Sequence, residues 1–420
     1  MFYADLHIHS KYSRATSKDM SLEVIEQWSQ IKGIKVIGTG DFTHPEWLRE
    51  IEKKLNEEEN GLFTLKKKYR LNIPDSCKQE VFFMLSSEIS CIYQKNGKLR
   101  KIHLLILSPS LKDVIKINHA LMQIGSLSSD GRPILGIDAK EILKIILEIS
   151  PQSLIIPAHA WTPHFSVFGS ESGFDSLEEC FEELMEYIYA IETGLSSDPP
   201  MNWRLSKLDR VILISNSDAH SPAKIGREAN IFETEVSYKA ITEAIKTGKG
   251  FVGTVEFFPE EGKYHYDGHR LCGVRLSPKE TIKMNYLCPR CGKRVTVGVM
   301  HRVEVLSDRE EGFKPHKAFP YKSIIPLQEI IAEINKTSTQ SKTVFNTYMK
   351  LIYKLGSEFD ILLNKKLEEI SAVDEHLAEA VERMRTGKVF VEPGYDGQYG
   401  KIRVFSETSK NNSGQTLLFK

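Results

Sequence analysis

No apolar run in this chain of 420 residues approaches the eighteen or so that a membrane-spanning helix needs, and no basic leader followed by an apolar stretch opens it. The expectation is a soluble intracellular protein with no membrane partner. Net charge is also lacking, because 56 Lys and Arg balance 56 Asp and Glu. Global electrostatics therefore argue neither for nor against an anionic partner, which has to be read from local features. Cysteine is scarce at six residues, too few for a disulfide framework. One pair stands as CPRC (288–291), which in a reducing compartment points to metal or redox chemistry rather than cross-linking. No internal repeat is visible, and the length exceeds one ordinary core, so two or three domains are expected.

What is present is an alternation of short apolar runs and amphipathic stretches over residues 1–257. Seven runs read as strands: FYADLHI, IKVIGTG, VFFMLSSEIS (81–90), KIHLLILS (101–108), SLIIPAHAW (153–161), YAIETG (189–194) and RVILISNSDAH (210–220). Helices between them carry end signals, such as Ser21 before and Gly33 after the stretch containing Val24, Ile25 and Trp28. The alternation predicts a parallel α/β architecture. Residues 258–315 change to a Gly-rich, basic character and form a separate small module. Residues 316–408 are mostly helical, with stripes such as Leu327, Ile330, Ile331 and Ile334, and a hairpin pattern at 389–405. Residues 409–420 read as a flexible tail.

Metal-competent residues gather at the ends of the strand runs. His7 and His9 close the first, Asp41 and His44 follow the second, and Glu88 closes the third. His103 lies in the fourth, His159 ends the fifth, Glu192 the sixth, and Asp218 with His220 the seventh. In a closed parallel barrel such ends converge on one rim, and residues i and i+2 share a face, so His7/His9 and Asp218/His220 act as pairs. A single strand histidine is more often a core residue; seven strands ending this way point to a shared site. Imidazole with carboxylate suits Zn, Mn or Fe, and the number of donors exceeds one coordination sphere, which predicts two or three metals with Glu88 or an Asp bridging. In the module, His269 and Cys272 with Cys288 and Cys291 form two knuckle-like pairs with the spacing of a closed structural zinc site, His265 being a substitute for His269.

Loops supply candidate substrate contacts. WTPHFSVFGSESGF (161–174) sets Trp161, His164, Phe165 and Phe168 beside the expected rim, for stacking on an extruded base or for packing on one another. KKKYR (66–70) and KNGKLRK (95–101) are candidate phosphate contacts.

Taken in order, DLHIHSKYS, TGD, SSEIS, AHAW and SDAH resemble the successive motifs of the PHP (polymerase and histidinol phosphatase) superfamily. The resemblance implies a distorted seven-stranded (β/α) barrel over residues 1–257 that hydrolyses phosphoesters with up to three metals. It implies His7, His9, Glu88, His103, His159, Asp218 and His220 as ligands. Where the family has an Asp-His pair, this chain reads Asp41-Phe42, so Asp41 is expected as the replacement ligand, with His44 second. Asp41, His44, Glu192 and Asp218 are the candidate catalytic groups. With the zinc module, the aromatic loop and the helical region added, the chain resembles the superfamily's DNA-repair endonucleases. That implies a metal-dependent endodeoxyribonuclease acting on damaged DNA, duplex or single-stranded, in the nucleoid. The implied cut lies 5′ of uracil, hypoxanthine, xanthine or an abasic site and leaves 3′-OH and 5′-phosphate ends. The implied cofactors are two or three divalent cations, zinc ahead of Mn or Mg, and one structural zinc. Gln415, Leu418 and Phe419 resemble a shortened sliding-clamp-binding box. The rival readings are a histidinol-phosphate type phosphatase and a non-catalytic DNA-binding PHP protein.

Overall fold

The computed structural model describes residues 1–405; the candidate clamp residues Gln415, Leu418 and Phe419 lie outside them. All seven expected runs form strands: β1 (Phe2–Asp5), β2 (Val36–Gly38), β3 (Phe82–Lys95), β4 (Lys98–Ser108), β5 (Leu154–Pro157), β6 (Ala190–Glu192) and β7 (Ile212–Ile214). β1 pairs β2 and β2 pairs β3 in parallel, as do β6 and β7. Backbone bonds between neighbouring runs, Ala160 N–H to Glu192 O (2.9 Å) and His9 N–H to Ala219 O (3.0 Å), bring the array back to its start.

The array is not wholly parallel, as the alternation had predicted. β4 runs antiparallel to both β3 and β5. The cause is local. Lys95 pairs with Lys98 across Asn96 and Gly97, whose φ angles of 55° and 71° make the two-residue turn that joins twisted antiparallel strands. A parallel partner would need a crossover of about a dozen residues or more. KNGK is thus a hairpin turn rather than the loop after a barrel strand. The reversal has a consequence for chemistry, because His103, in mid-strand, is carried opposite Ser90 and next to Glu88.

Three further strands, β8 (Ala229–Phe232), β9 (Phe251–Glu256) and β12 (Tyr321–Ser323), extend the sheet beyond β1. The small module is built on the hairpin of β10 (Asp267–His269) and β11 (Val274–Leu276). The second hairpin, β13 (Phe390–Glu392) with β14 (Lys401–Arg403), was grouped by sequence with the helical region. It is hydrogen-bonded to the small module instead, through Tyr266 N–H to Gly394 O (2.9 Å), Gly397 N–H to Lys263 O (2.9 Å) and Arg270 N–H to Asp396 Oδ2 (2.6 Å).

The helical region packs its apolar stripes inward: Leu327, Ile330, Ile331, Leu355, Phe359 and Leu362 are all buried. It docks on α1 (Leu22–Lys32), where Lys32 Nζ lies 2.6 Å from Glu358 Oε2, both side chains being 2% exposed. No helix among the described residues is long and apolar enough to cross a membrane.

Candidate metal centre

The turns that follow the strands deliver the donors. Asp41, His159 and Asp218 adopt left-handed backbone, with φ of 47°, 30° and 47°. Such conformations cost a non-glycine residue of order 1–3 kcal/mol and persist where surrounding contacts impose them. His7 and His9, two apart, are fully buried with ring centroids 5.4 Å apart. Each is held from behind. His7 Nδ1 is 3.0–3.1 Å from the Glu192 oxygens, and His9 Nδ1 is 3.0 Å from Asp41 Oδ1 and 3.1 Å from Ser13 Oγ. Both imidazoles therefore present Nε2 to the interior.

There His9 Nε2 meets Glu88 Oε2 at 3.2 Å and Asp218 Oδ1 at 3.1 Å, and His7 Nε2 stands 3.6 and 3.8 Å from the same oxygens. These four side chains offer donors within 4.8 Å of one another. Glu88 Oε1 turns to a second group, 2.7 Å from His103 Nδ1 and 2.9 Å from His159 Nε2. One carboxylate is shared between two donor groups, as the expectation of a bridging Glu88 requires. His7 Nε2, His9 Nε2 and Asp218 Oδ1 are buried with no hydrogen-bond partner. Buried polar atoms in proteins normally find a hydrogen-bond partner, and orphaned imidazole nitrogens beside carboxylates suit divalent cations. Burial opposes the charge on Glu88, but His103, His7 and Arg132 hold its pKa well below the usual carboxylate range. For His103 burial dominates and lowers its pKa to about 4, which keeps the ring a neutral donor.

Some expected residues lie elsewhere. Asp41, expected as a ligand and a catalytic group, is in neither donor group. Its oxygens are occupied by His9, the Ser10 N–H and hydroxyl (2.7 Å each) and Ser13 Oγ (2.9 Å), so it orients His9. Glu192 likewise orients His7, while accepting from Asn216 Nδ2 (2.9 Å) and His159 N–H (2.8 Å). His44 starts the helix Pro45–Lys54 and stacks on Tyr12 at 4.5 Å, away from both groups. His220 sits beside His9, ring centroids 4.4 Å apart, with Nδ1 2.9 Å from Asp218 O, outside the four-donor set.

In the aromatic loop, Trp161 and Phe168 are core residues. They pack on each other at 4.8 Å, and Trp161 Nε1 donates to Asn202 Oδ1 at 2.8 Å, so neither faces substrate. His164 is exposed. Phe165 is the one at the rim, half-buried, with φ of 61° and its ring 4.7 Å from that of His103.

Sequence reasoning missed Arg132. Its Nη1 lies 3.0 Å from Glu88 Oε2, and the side chain is 26% exposed, placing a fixed positive charge at the edge of the centre. The available signal is the Asp130-Gly131 turn before it. A Cβ on Gly131 would come within 2.3 Å of Ser13 Oγ and 2.4 Å of Asp41 Oδ2.

The expected structural set is brought together. His269, Cys272, Cys288 and Cys291 offer donors within 4.8 Å, Cys291 Sγ being 3.5 Å from His269 Nδ1. Burial would raise the Cys288 thiol, but backbone N–H groups of Arg290 and Cys291 bring it down to about 6, toward the thiolate a zinc ion binds. His265 lies outside the set, buried, with its pKa lowered to about 4.

A family model described as the MJ0043 C-terminal domain matches residues 326–388. The uncharacterized protein MJ0043 of Methanocaldococcus jannaschii is 34% identical over 254 residues, 58% of this chain and 31% of that protein, so the match spans under a third of the relative's length. The lesion-specific endonuclease PfuEndoQ from Pyrococcus furiosus is 32% identical and superposes with a TM-score of 0.84, over 97% of this chain and 96% of that one. The chain belongs to the endonuclease Q family. Another endonuclease Q structure, a complex with a 27-mer duplex substrate carrying an abasic lesion at the active site, is 32% identical with a TM-score of 0.82, covering 97% of this chain and 98% of that one. Within this endonuclease Q fold, the matched segment 326–388 is the helical body that carries Glu358, and both donor groups lie outside it.

Proposed function

We propose that this chain is a metal-dependent DNA-repair endonuclease that hydrolyses the phosphodiester 5′ of an abasic site or a deaminated base (uracil, hypoxanthine or xanthine), leaving 3′-OH and 5′-phosphate ends. The observation that carries the reading is Glu88, shared between the His7/His9/Asp218 and His103/His159 groups with Arg132 at its edge. Similarity over nearly the whole chain to PfuEndoQ and to the abasic-duplex complex supplies the substrate class.

His7, His9, Glu88 and Asp218 would hold one cation, and Glu88, His103 and His159 another. Divalent cations bound there would supply a more acidic water and neutralise charge on the phosphoryl oxygens. The chain's own groups do the rest. Glu192 and Asp41 fix the tautomers of His7 and His9, so both rings keep Nε2 free. Arg132 offers guanidinium N–H groups to a phosphate arriving beside Glu88. Phe165 offers a ring face to a base leaving the stack, which costs least where pairing is already lost. A small-molecule phosphatase has no use for the zinc module, whose Arg270, Arg290, Lys293 and Arg294 suit a nucleic-acid backbone.

The test is a gel assay of end-labelled duplexes carrying uracil, hypoxanthine, an abasic site or no lesion, with and without divalent metal. The expected result is one metal-dependent cut on the 5′ side of each lesion and none in the control. Phosphomonoester turnover without any cut in lesion DNA would replace the reading with a phosphatase.

A further inference from the structure

Away from the metal centre a second concave site opens at the other end of β7. Asp218 follows the C-terminal end of that strand, whereas Val211, Ile212 and Leu213 at its start line a cavity of about 500 Å³. That is the size of a small-ligand pocket, for which roughly 300–1,000 Å³ is usual. Ile212 and Leu213 are only half-buried and line this cavity, so they offer an apolar floor. Two aromatic rings stand over it and are held in place: Trp203 packs edge-on against Tyr321 at 5.8 Å, and Phe319 against Phe251 at 5.0 Å.

The charge around this floor is of one sign. Lys246, Arg210 and Lys317 line the rim, and Lys314 Nζ hangs 5.7 Å from the centre of the Trp203 ring. The carboxylate among the lining residues, Asp209, is paired with both terminal guanidinium nitrogens of Arg309, at 2.8 and 2.5 Å.

We infer that this cavity is a nucleotide-binding site, distinct from the metal centre, that stacks a base between Trp203 and Phe319 and sets its phosphate against Lys246 and Lys317. A planar ring with a π-face suits the aromatic pair and tolerates any base. The phosphate suits lysines that have no acidic partner in the rim. The same chemistry is presented by a free mononucleotide and by the 5′-phosphorylated end of a strand.

The test is calorimetric titration of the full chain, loaded with its metals, with 5′-AMP, with adenosine, and with a 5′-phosphorylated hexanucleotide. One equivalent of AMP is expected to bind, with adenosine weaker by at least about tenfold because it lacks the phosphate. Lys246→Glu with Lys317→Glu is expected to weaken AMP at least about tenfold without changing the melting temperature or the cutting of abasic DNA. Asp218→Asn is expected to leave AMP binding unchanged. A hexanucleotide that displaces AMP assigns the site to strand ends, and one that does not assigns it to free nucleotides. Absence of AMP binding, binding unaltered in the double variant, or binding lost in Asp218→Asn would each overturn the inference.

Discussion

Glu192 holds His7 from behind: both carboxylate oxygens stand within 3.1 Å of His7 Nδ1, so the imidazole can offer only Nε2 to the centre. Glu192→Gln keeps the shape but can present its amide N–H to Nδ1 and so favour the wrong tautomer. Loss of such an orienting partner typically costs about 10–100-fold in metal affinity or activity. The expected outcome is a loss of that order in cleavage of abasic DNA, partly restored by raising metal concentration, with unchanged circular dichroism. Metal titration of the variant's cleavage rate checks it; a wild-type metal dependence would show that Glu192 does not orient His7.

The Lys32–Glu358 pair ties α1 to the helical region, and Glu358 also accepts from Tyr348 Oη (2.7 Å) and Leu327 N–H (3.0 Å). Lys32→Met leaves a buried carboxylate without its cation, a loss of about 3–5 kcal/mol. Adding Glu358→Gln removes that charge while keeping an acceptor for Tyr348 or Leu327, so the double variant is expected to regain at least half of the loss. Urea unfolding of the two variants makes the comparison. A double variant no more stable than Lys32→Met would show that the Coulombic pairing is not what matters.

A pH effect is expected from Glu228 and Glu256, both fully buried, each with one oxygen lacking a hydrogen-bond partner. Burial and the neighbouring Glu256 carboxylate push the Glu228 pKa well up; burial, then the Asp198 charge, raise that of Glu256 to about 8. Between the ordinary carboxylate value and about 8 the folded chain binds more protons than the unfolded one, so stability falls as pH rises through that window. Glu228→Gln mimics the protonated form. It is expected to leave stability nearly unchanged at pH 5 and to raise it by about 1–3 kcal/mol at pH 9. Thermal melts at the two pH values decide, and an equal effect at both would exclude a titrating pair.

Much of this arrangement was legible in the sequence because strand geometry is periodic. His7 and His9 two residues apart, His159 and Asp218 just past strand ends, and Glu88 and His103 on the adjacent strands β3 and β4, are brought together once the strands lie side by side. The cysteine spacing likewise identified His269, Cys272, Cys288 and Cys291. Legibility stopped where side-chain direction decides. Asp41 and Glu192 sit at strand ends like the others, yet each is turned onto an imidazole Nδ1, and no spacing distinguishes a carboxylate facing the centre from one facing a ring. In WTPHFSVFGS the sequence could not say which aromatics fold under the loop; Trp161 and Phe168 do, and Phe165 does not. Arg132 lies in a loop remote in sequence from its partner Glu88 and belongs to no periodic pattern.

The central claim is that a centre built around the shared Glu88 cuts DNA beside a lesion. The most direct measurement is the single-turnover rate of strand cleavage on an end-labelled duplex with one abasic site, for wild type and Glu88→Gln, with bound metal counted in each. The account predicts a single cut 5′ of the lesion by wild type. It predicts a rate lower by about 100-fold or more in a folded Glu88→Gln chain that retains its structural zinc and loses metal from the centre. Cleavage by Glu88→Gln at the wild-type rate, or no cleavage of the abasic duplex by wild type loaded with metal, would contradict it.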